Sequence, residues 1–311
     1  MYFSPLKRAY LLWLSASQQF VRKTGHTVAH HNFSNESCTR SFCSFFPSSK
    51  SEWATPSSNP SSLRPGAFLD AAKYIIPHPC KKKRNGDDAA FCTSWHLAVA
   101  DGVGGWELSG IDASLYSREL LSRIESLLEK EENGALSFSP VTVLQRAYMS
   151  TKAIGSTTCC LVFLDGKNMK ISTANLGDSG FILYRSEVDK VISRSEFQSH
   201  DFNFPLQLGT GSSDLPEHAE QLTISVHPND WIVVGTDGLW DNLYEAQIVE
   251  ILKKSNDSKV ASQVIAQTAF SYSQDPMWKS PFVEREMHYT GEIDSLGGKP
   301  DDIAVVVAQI R

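Results

Sequence analysis

The sequence has no excess of basic residues, no C-x-x-C pair and neither of the common glycine-rich nucleotide-binding fingerprints. Its 29 Lys and Arg face 35 Asp and Glu, a formal net charge of -6. We therefore expect no nucleic-acid partner, and we also expect no integral membrane segment. Both G-x-G-x-x-G and a Gly-Lys-Ser/Thr ending are missing, which disfavours a nucleotide-dependent oxidoreductase built on the glycine-rich segment 102–105.

Cysteine is scarce and does not form a metal or disulfide pattern. The six cysteines stand at positions 38, 43, 80, 92, 159 and 160. In an extended strand, adjacent Cys159 and Cys160 would point to opposite faces of a sheet. The sequence therefore predicts free thiols in a reducing compartment.

Acidic residues are almost absent from the beginning of the chain. Over residues 1–63 the acids are Glu36 and Glu52, while serine is frequent and basic residues are scattered throughout. This composition is typical of an organellar transit peptide, and the serine- and proline-rich stretch 49–66 cannot contribute to a packed core. We expect a transit peptide with a disordered linker in this part of the chain, followed by a folded domain over residues 68–311.

Two other interpretations of the leader stay open. Lys7 and Arg8 precede the apolar run 9–14, as in a secretory signal, and a tail with no targeting role is the third interpretation. The run is short for a secretory signal and basic residues resume at Arg22, which favours the transit peptide.

Beyond residue 68 the chain has ample hydrophobic residues, 41% overall, and they alternate between strand-like and helix-like patterns. The predicted strands are His96–Asp101, Thr157–Leu164, Met169–Leu176, Gly180–Arg185, Gln221–Val226, Trp231–Thr236 and Ile303–Ile310. The predicted helices form two pairs, Ala113–Lys130 with Val141–Ile154 and Glu245–Lys254 with Lys259–Phe270. Helix pairs separated by runs of strands predict an α+β fold in which two sheets pack face to face with helices outside.

Aspartates recur where the strand-like runs begin or end. They stand in "AVADGVGG" (Asp101), "ANLGDSG" (Asp178), "VVGTDGLWDN" (Asp237), "GGKPDDIAVVV" (Asp301, Asp302) and "NGDDAAF" (Asp87, Asp88). A single aspartate before glycine or serine is more often a turn residue than a ligand. Five such clusters favour convergence at one edge, where the negative charges repel each other unless a cation lies between them.

The residues around these aspartates favour a hard divalent cation. His and Cys are missing from these stretches, so Mg²⁺ or Mn²⁺ is favoured over Zn²⁺. Gly102 has no side chain, so its carbonyl oxygen can approach a metal ion closely.

In their order, these motifs resemble those of a known family. "VADGVGGW", "NLGDSG", "GTDGLWDN" and "KPDDIAVVV" look like the successive motifs of the metal-dependent serine/threonine phosphatases of type 2C (PPM), over roughly Tyr74 to Arg311. "DGVGGW", "FNFPLQLG" and "SQDPMWKSPF" further resemble a compact organellar subgroup, many of whose members are mitochondrial and some plastid. The resemblance implies a four-layer α-β-β-α sandwich of two antiparallel sheets flanked by helix pairs, with a dinuclear metal site at one edge.

The resemblance also implies the reaction, the compartment and the role of single residues. It implies a phosphoprotein substrate and a mitochondrial location, with the matrix favoured, plastids as the alternative and secretion less expected; we expect a monomer. Two Mg²⁺ or Mn²⁺ ions, with a weaker third, would activate a water for in-line attack on phosphorus without a phosphoenzyme. The implied roles are bridging of two ions by Asp101, ligation through the Gly102 carbonyl, completion of the other site by Asp237 and Asp301, a water-mediated contact from Asp87, a third-ion contact from Asp178, and support from Asp88 and Asp302.

Three departures from the family pattern bear on catalysis. Val103 stands where many members have a histidine that is proposed as general acid, so the leaving-group proton must come from elsewhere. Asp87 replaces the usual glutamate and is one methylene shorter. Lys83 and Arg84 both compete for the phosphate-binding role, and the run 81–84 otherwise reads as a solvated basic loop; Arg84 would offer a bidentate fork.

Two classes of function follow from this sequence. The first is an active phosphoserine/phosphothreonine phosphatase, and the alternative is a catalytically weak module that binds phosphoproteins. Asp101, Asp237 and Asp301 favour activity, because a pure binder would not need a metal cage.

Overall fold

The computed structural model describes residues 66–129, 138–291 and 296–311. The predicted transit peptide and linker, residues 1–63, lie outside these ranges. Within the described ranges, no helix combines the length and the apolar character that a membrane span needs.

Strands form most of the framework of the described residues. In chain order they are β1 (Leu69–Ile76), β2 (Ala89–Cys92), β3 (His96–Ala100), β4 (Ser156–Thr157), β5 (Cys159–Asp165), β6 (Lys170–Leu176), β7 (Gly180–Arg185), β8 (Lys190–Arg194), β9 (Ser199–Asp201), β10 (Phe204–Pro205), β11 (Leu208–Gly209), β12 (Thr223–Ser225), β13 (Trp231–Gly235) and β14 (Ile303–Ile310). The helices are α1 (Ser114–Glu129), α2 (Pro140–Ser150), α3 (Asp237–Trp240), α4 (Glu245–Lys254), α5 (Ser258–Ser273) and α6 (Pro281–Thr290).

The strands build two five-stranded antiparallel sheets. One sheet has the order β1-β14-β13-β7-β8 and the other has the order β12-β6-β5-β3-β2. Strand β14 lies inside its sheet and is buried along its whole length, as its apolar residues on both faces predict.

Three apolar layers hold the sheets and helices together. Helices α1 and α2 pack on the outer face of the β12–β2 sheet, the two sheets pack against each other, and α4 and α5 cover the outer face of the β1–β8 sheet. The order of layers is therefore α-β-β-α, which confirms the predicted sandwich. Cys159 lies in the helix-facing layer and Cys160 in the layer between the sheets, and both are free thiols.

Several element bounds differ from the sequence prediction for local reasons. Helix α2 ends at Ser150 and not at Ile154, because the backbone turns extended at Thr151. The Glu119 carboxylate then accepts hydrogen bonds from the N–H groups of Lys152 and Ala153, at 3.2 and 2.7 Å. Strands β1, β2, β8, β9, β10 and β11 and helices α3 and α6 were not predicted. Strands β2, β9, β10 and β11 and helix α3 have at most four residues, too few to show periodicity, and β1, β8 and α6 consist mostly of half-buried or exposed residues.

The register brings the ends of several strands to one edge. Gly235 at the end of β13 pairs with Gly180 at the start of β7, and Ala100 at the end of β3 pairs with Ala89 at the start of β2. Ile303 at the start of β14 pairs with Ile76. The aspartates that flank these strands are thereby collected on the same side of the molecule.

Candidate metal centre

Asp101 and Asp237 lie close enough to interact electrostatically, since the charge of Asp237 is, after burial, the largest cause of the raised pKa of Asp101. Asp101 follows β3 at the end of one sheet, and Asp237 begins α3 directly after β13 of the other. Thr236, the residue before Asp237, donates a 2.7 Å hydrogen bond from Oγ1 to Oδ2 of Asp88 beside β2, which brings these ends of the two sheets together. The centre therefore joins the two sheets.

The backbone at Asp101 and Gly102 is tightly held. The Asp101 carbonyl accepts hydrogen bonds from Thr157 Oγ1 at 2.6 Å and from the N–H of Thr158 at 3.0 Å. A Cβ atom on residue 102 would lie 2.6 Å from the Ala113 carbonyl oxygen, closer than carbon and oxygen can approach without a clash. Glycine is therefore required at this position by backbone packing.

Crowding of the carboxyl groups changes their acidity. Burial, and then the Asp237 charge, raise the pKa of Asp101 well above its ordinary value. The same two causes raise the pKa of Asp178 to about 8 and that of Asp301 to about 7. Burial also raises the pKa of Asp88, and the charge of Asp302 adds to the effect. Without a cation, the centre therefore retains protons that ordinary carboxylates would have lost.

Several buried carboxylate oxygens of the centre have no hydrogen-bond partner, which favours a bound cation. Within the described residues, Oδ1 of Asp88, Asp178 and Asp237 is buried and accepts no hydrogen bond. An unpaired buried carboxylate is strongly unfavourable, and a cation bound by oxygen ligands removes that penalty. As the side chains stand in the described ranges, no three Asp, Glu, His or Cys groups already enclose an ion. The donor chemistry fits Mg²⁺ or Mn²⁺, and the carboxylates would have to turn toward it.

Asp302 organises the loop that carries Asp87. Its Oδ1 accepts the N–H of His78 at 2.7 Å, and its Oδ2 accepts the N–H of Asp87 at 3.0 Å and the Lys81 ammonium at 3.0 Å. Gly86, at φ 71°, packs directly against this carboxylate. Asp302 therefore supports Asp87 from behind, while its own oxygens are fully used.

Of the basic run 81–84, the structure brings Lys81 and Arg84 to Asp87 and leaves Lys83 apart. Lys81 Nζ lies 2.7 Å and Arg84 Nη2 lies 3.1 Å from the Asp87 carboxylate. Arg84 also pairs with Glu107 and keeps 30% of its side chain exposed. Lys83 is exposed and forms no ion pair within the described ranges. Arg84 is thus the better placed of the two predicted phosphate-binding candidates.

Lys299, Asp241 and Arg285 are residues of the centre that sequence reasoning missed. Lys299 Nζ lies 2.5 Å from Asp237 Oδ2 and 2.6 Å from Asp241 Oδ2. Asp241 also accepts a hydrogen bond from Arg285. Burial opposes ionisation of Asp237, but the Lys299 ammonium more than offsets it and lowers the pKa of Asp237. The basic residue inside "GGKPDD" was the available signal.

Comparison with known proteins shows the family to which this chain is related. Residues 92–311 match the family model described as Stage II sporulation protein E (SpoIIE). The chain is 41% identical over 249 residues to "Probable protein phosphatase 2C 55" of Arabidopsis thaliana, covering 78% of this chain and 52% of that protein. It is 37% identical over 265 residues to "Protein phosphatase PTC7 homolog" of Xenopus laevis, covering 78% of this chain and 86% of that protein.

A solved structure extends the comparison to the fold. The X-ray structure of the photosystem II phosphatase PBCP aligns with a TM-score of 0.72 at 30% identity, covering 78% of this chain and 99% of that chain. The chain belongs to the PPM family of metal-dependent protein serine/threonine phosphatases, the enzymes of type 2C. It spans about half the length of the Arabidopsis relative.

Proposed function

We propose that this chain hydrolyses phosphoserine and phosphothreonine in organellar phosphoproteins, with two Mg²⁺ or Mn²⁺ ions held at the edge where the sheets meet. The observation that carries the proposal is the convergence of Asp101, Asp237 and Asp301 around buried carboxylate oxygens that lack partners. The family membership supports the reaction class.

The charges of the described residues favour the binding of divalent cations, and the family resemblance implies two of them. Eight carboxylates lie together at this edge: Asp87, Asp88, Asp101, Asp178, Asp237, Asp241, Asp301 and Asp302. Four basic groups contact them: Lys81, Arg84, Arg285 and Lys299. The carboxylates outnumber the basic groups, and bound divalent cations would offset this excess of negative charge.

The proposed ligand roles are those that the family resemblance implies, and the positions of the carboxylates are compatible with them. Asp101 lies between the acids of both sheets and would bridge the ions, with the Gly102 carbonyl beside it; Asp237 and Asp301 would complete one site. Asp87 would reach its ion through a water, supported by Asp88 and Asp302, and Asp178 would contribute to a weaker third position. When bound, the ions supply an acidified water and neutralise phosphoryl oxygens.

The substrate would meet the chain's own residues at the exposed side of this edge. The half-exposed Arg84 guanidinium can turn a free N–H toward a phosphoryl oxygen while it keeps its contact with Asp87. Val103 has no side-chain proton to give, and its N–H is donated to the Ser156 carbonyl at 3.0 Å. The proton for the leaving serine or threonine oxygen therefore comes from another group.

We further propose that residues 1–63 direct the protein to mitochondria and that residues 68–311 form the catalytic domain, active as a monomer. The acid-poor composition of residues 1–63 supports the mitochondrial location. The start of β1 at Leu69 supports the proposed beginning of the catalytic domain.

Hydrolysis of phosphoserine, phosphothreonine and phosphotyrosine peptides by the full chain tests the proposal. We expect release of phosphate from the first two peptides with Mn²⁺ or Mg²⁺, none after EDTA, and recovery when the ion is restored. Tight phosphopeptide binding without turnover would instead support the phosphoprotein-binding module.

A further inference from the structure

The ammonium group of Lys299 lies among the carboxylates that are proposed to hold the ions. Lys299 Nζ is 2.5 Å from Asp237 Oδ2, 2.6 Å from Asp241 Oδ2 and 3.5 Å from Asp301 Oδ2. Its side chain is only 18% exposed. The lysine thus contacts two of the residues that would hold a divalent ion.

The surroundings fix this ammonium in place. The Lys299 N–H donates to Asn242 Oδ1 and its carbonyl accepts from Asn242 Nδ2, both at 2.9 Å. The Phe282 ring lies 5.1 Å from Nζ. Asp241 accepts Lys299 Nζ at Oδ2 and a hydrogen bond from Arg285 at Oδ1. Lys299, a residue with a long and flexible side chain, is therefore held both at its backbone and at its ammonium group.

The two carboxylate oxygens of Asp237 have different environments, so this side chain can contact the lysine and a metal ion at the same time. Its Oδ2 accepts the lysine ammonium, whereas its Oδ1 is buried and has no hydrogen-bond partner. One oxygen is thus occupied by a fixed positive charge, and the other remains for a cation.

We infer that Lys299 is an internal counter-ion that sets the affinity of the centre for divalent ions. Its ammonium neutralises Asp237 and Asp301 when no ion is bound, which stabilises the empty domain. The same charge repels an ion bound to these carboxylates, which weakens metal affinity. Lys299 is a positioning residue that acts through Asp237. This inference rests on the proposed metal site.

Lys81, the other amine of the centre, does not duplicate this arrangement. Its contacts are Asp302, a supporting carboxylate, at 3.0 Å and Asp87, which would reach an ion only through a water, at 2.7 Å. The effect on ion affinity is therefore assigned to Lys299.

Calorimetric titration of the metal-free full chain with Mn²⁺ tests the inference. Lys299→Gln keeps hydrogen-bond donors for Asp237 and Asp241 but removes the charge, and Lys299→Arg keeps the charge. We expect Lys299→Gln to bind Mn²⁺ at least about tenfold more tightly, since repulsion between charges a few ångströms apart has this size even at the dielectric constant of water. We expect the same variant to melt at a lower temperature in EDTA.

Two variants provide controls. Lys299→Arg should bind Mn²⁺ like the wild type. Lys279→Gln removes a lysine that pairs with Glu284 at the surface, 53% exposed, and it should change neither Mn²⁺ affinity nor melting temperature.

Equal or weaker Mn²⁺ binding by a natively folded Lys299→Gln variant would overturn the inference, because a merely structural lysine predicts that direction. If this variant does not fold, Lys299→Met is titrated in its place with the same expectation. A wild-type chain that binds no Mn²⁺ at all would instead refute the proposed metal site.

Discussion

The backbone N–H of Asp87 donates a 3.0 Å hydrogen bond to Oδ2 of Asp302, 215 positions later in the chain. This bond fastens the loop before β2 to the start of β14. Because the same carboxylate also accepts the N–H of His78, one buried side chain fixes the loop on the supporting side of the centre.

Asp302→Ala should destabilise the domain by about 2–4 kcal/mol, since it leaves the N–H groups of His78 and Asp87 without their acceptor and removes one of the two carboxylates that pair with Lys81. Urea unfolding in EDTA measures the change. Asp70→Asn is the matched control: Asp70 forms a 3.7 Å surface pair with Arg311, so its loss should cost less than about 1 kcal/mol. Equal effects of the two variants would contradict the supporting role of Asp302.

Asp101→Asn should lower phosphopeptide turnover by at least about 100-fold, because loss of the proposed bridging charge would weaken the binding of both ions and the acidity of a water that they share. Circular dichroism should show a native fold. Asp165→Asn, in an exposed turn where Asp165 bonds Asn168, should retain activity. Wild-type turnover by the Asp101 variant would refute its bridging role.

Two glycines of the "DGVGG" motif should respond differently to alanine. Gly102→Ala places a Cβ 2.6 Å from the Ala113 carbonyl oxygen, whereas a Cβ at Gly104 meets nothing closer than 3.7 Å. We expect Gly102→Ala to cost about 1–3 kcal/mol of stability together with activity, and Gly104→Ala to be tolerated. Thermal melts and turnover measurements on both variants test this expectation. A stable, active Gly102→Ala variant would contradict it and show that the loop accommodates the Cβ atom.

In EDTA the protein should become less stable as the pH rises from about 6 to about 8.5. Burial, and then the Asp237 charge, raise the pKa of Asp178 to about 8 and that of Asp301 to about 7 in the folded state. The unfolded chain loses these protons near pH 3.8, so the folded state binds more protons across this window, and stability falls as they dissociate.

Melting temperatures measured in EDTA across this pH range test whether stability falls as the pH rises. Asp178→Asn should reduce the slope, because it removes one titrating group. Saturating Mn²⁺ should flatten the dependence, because the ion binds the ionised carboxylates. A melting temperature that rises with pH in EDTA would contradict the assignment.

Residues 1–63 fused to a fluorescent reporter should direct it to mitochondria, with plastids as the second outcome where they exist. A chain that begins at Leu63 should fold and hydrolyse phosphopeptides, since an import signal acts unfolded and contributes few contacts. Secretion of the reporter, or failure of the shortened chain to fold, would refute the assignment of the leader.

Much of the fold was readable because buried strands and amphipathic helices carry strong periodicity. Ile303–Ile310 is apolar on both faces and lies inside its sheet, and Leu120 and Ile124 mark the buried face of α1. Strand β1 was missed because it lies at a sheet edge, with Lys73 exposed between half-buried neighbours.

The aspartates could be recognised because each flanks a strand, but their basic partners could not. Which ammonium meets which carboxylate depends on how distant strand ends are juxtaposed, as for Lys81 with Asp302, 221 positions apart. Lys299 lies two residues before Asp301, yet its main contacts are Asp237 and Asp241. Spacing alone does not contain that information.

Cys159 and Cys160 are neighbours in the chain but lie in different packing layers, one under the helices and one between the sheets. Burial raises the pKa of the Cys159 thiol to about 12 and that of Cys160 well above its ordinary value, so neither reacts until its layer opens. The alkylation rates of the two thiols under native conditions would therefore report two different opening motions around one strand. The rate at Cys159 would measure detachment of the helices, and the rate at Cys160 would measure separation of the sheets.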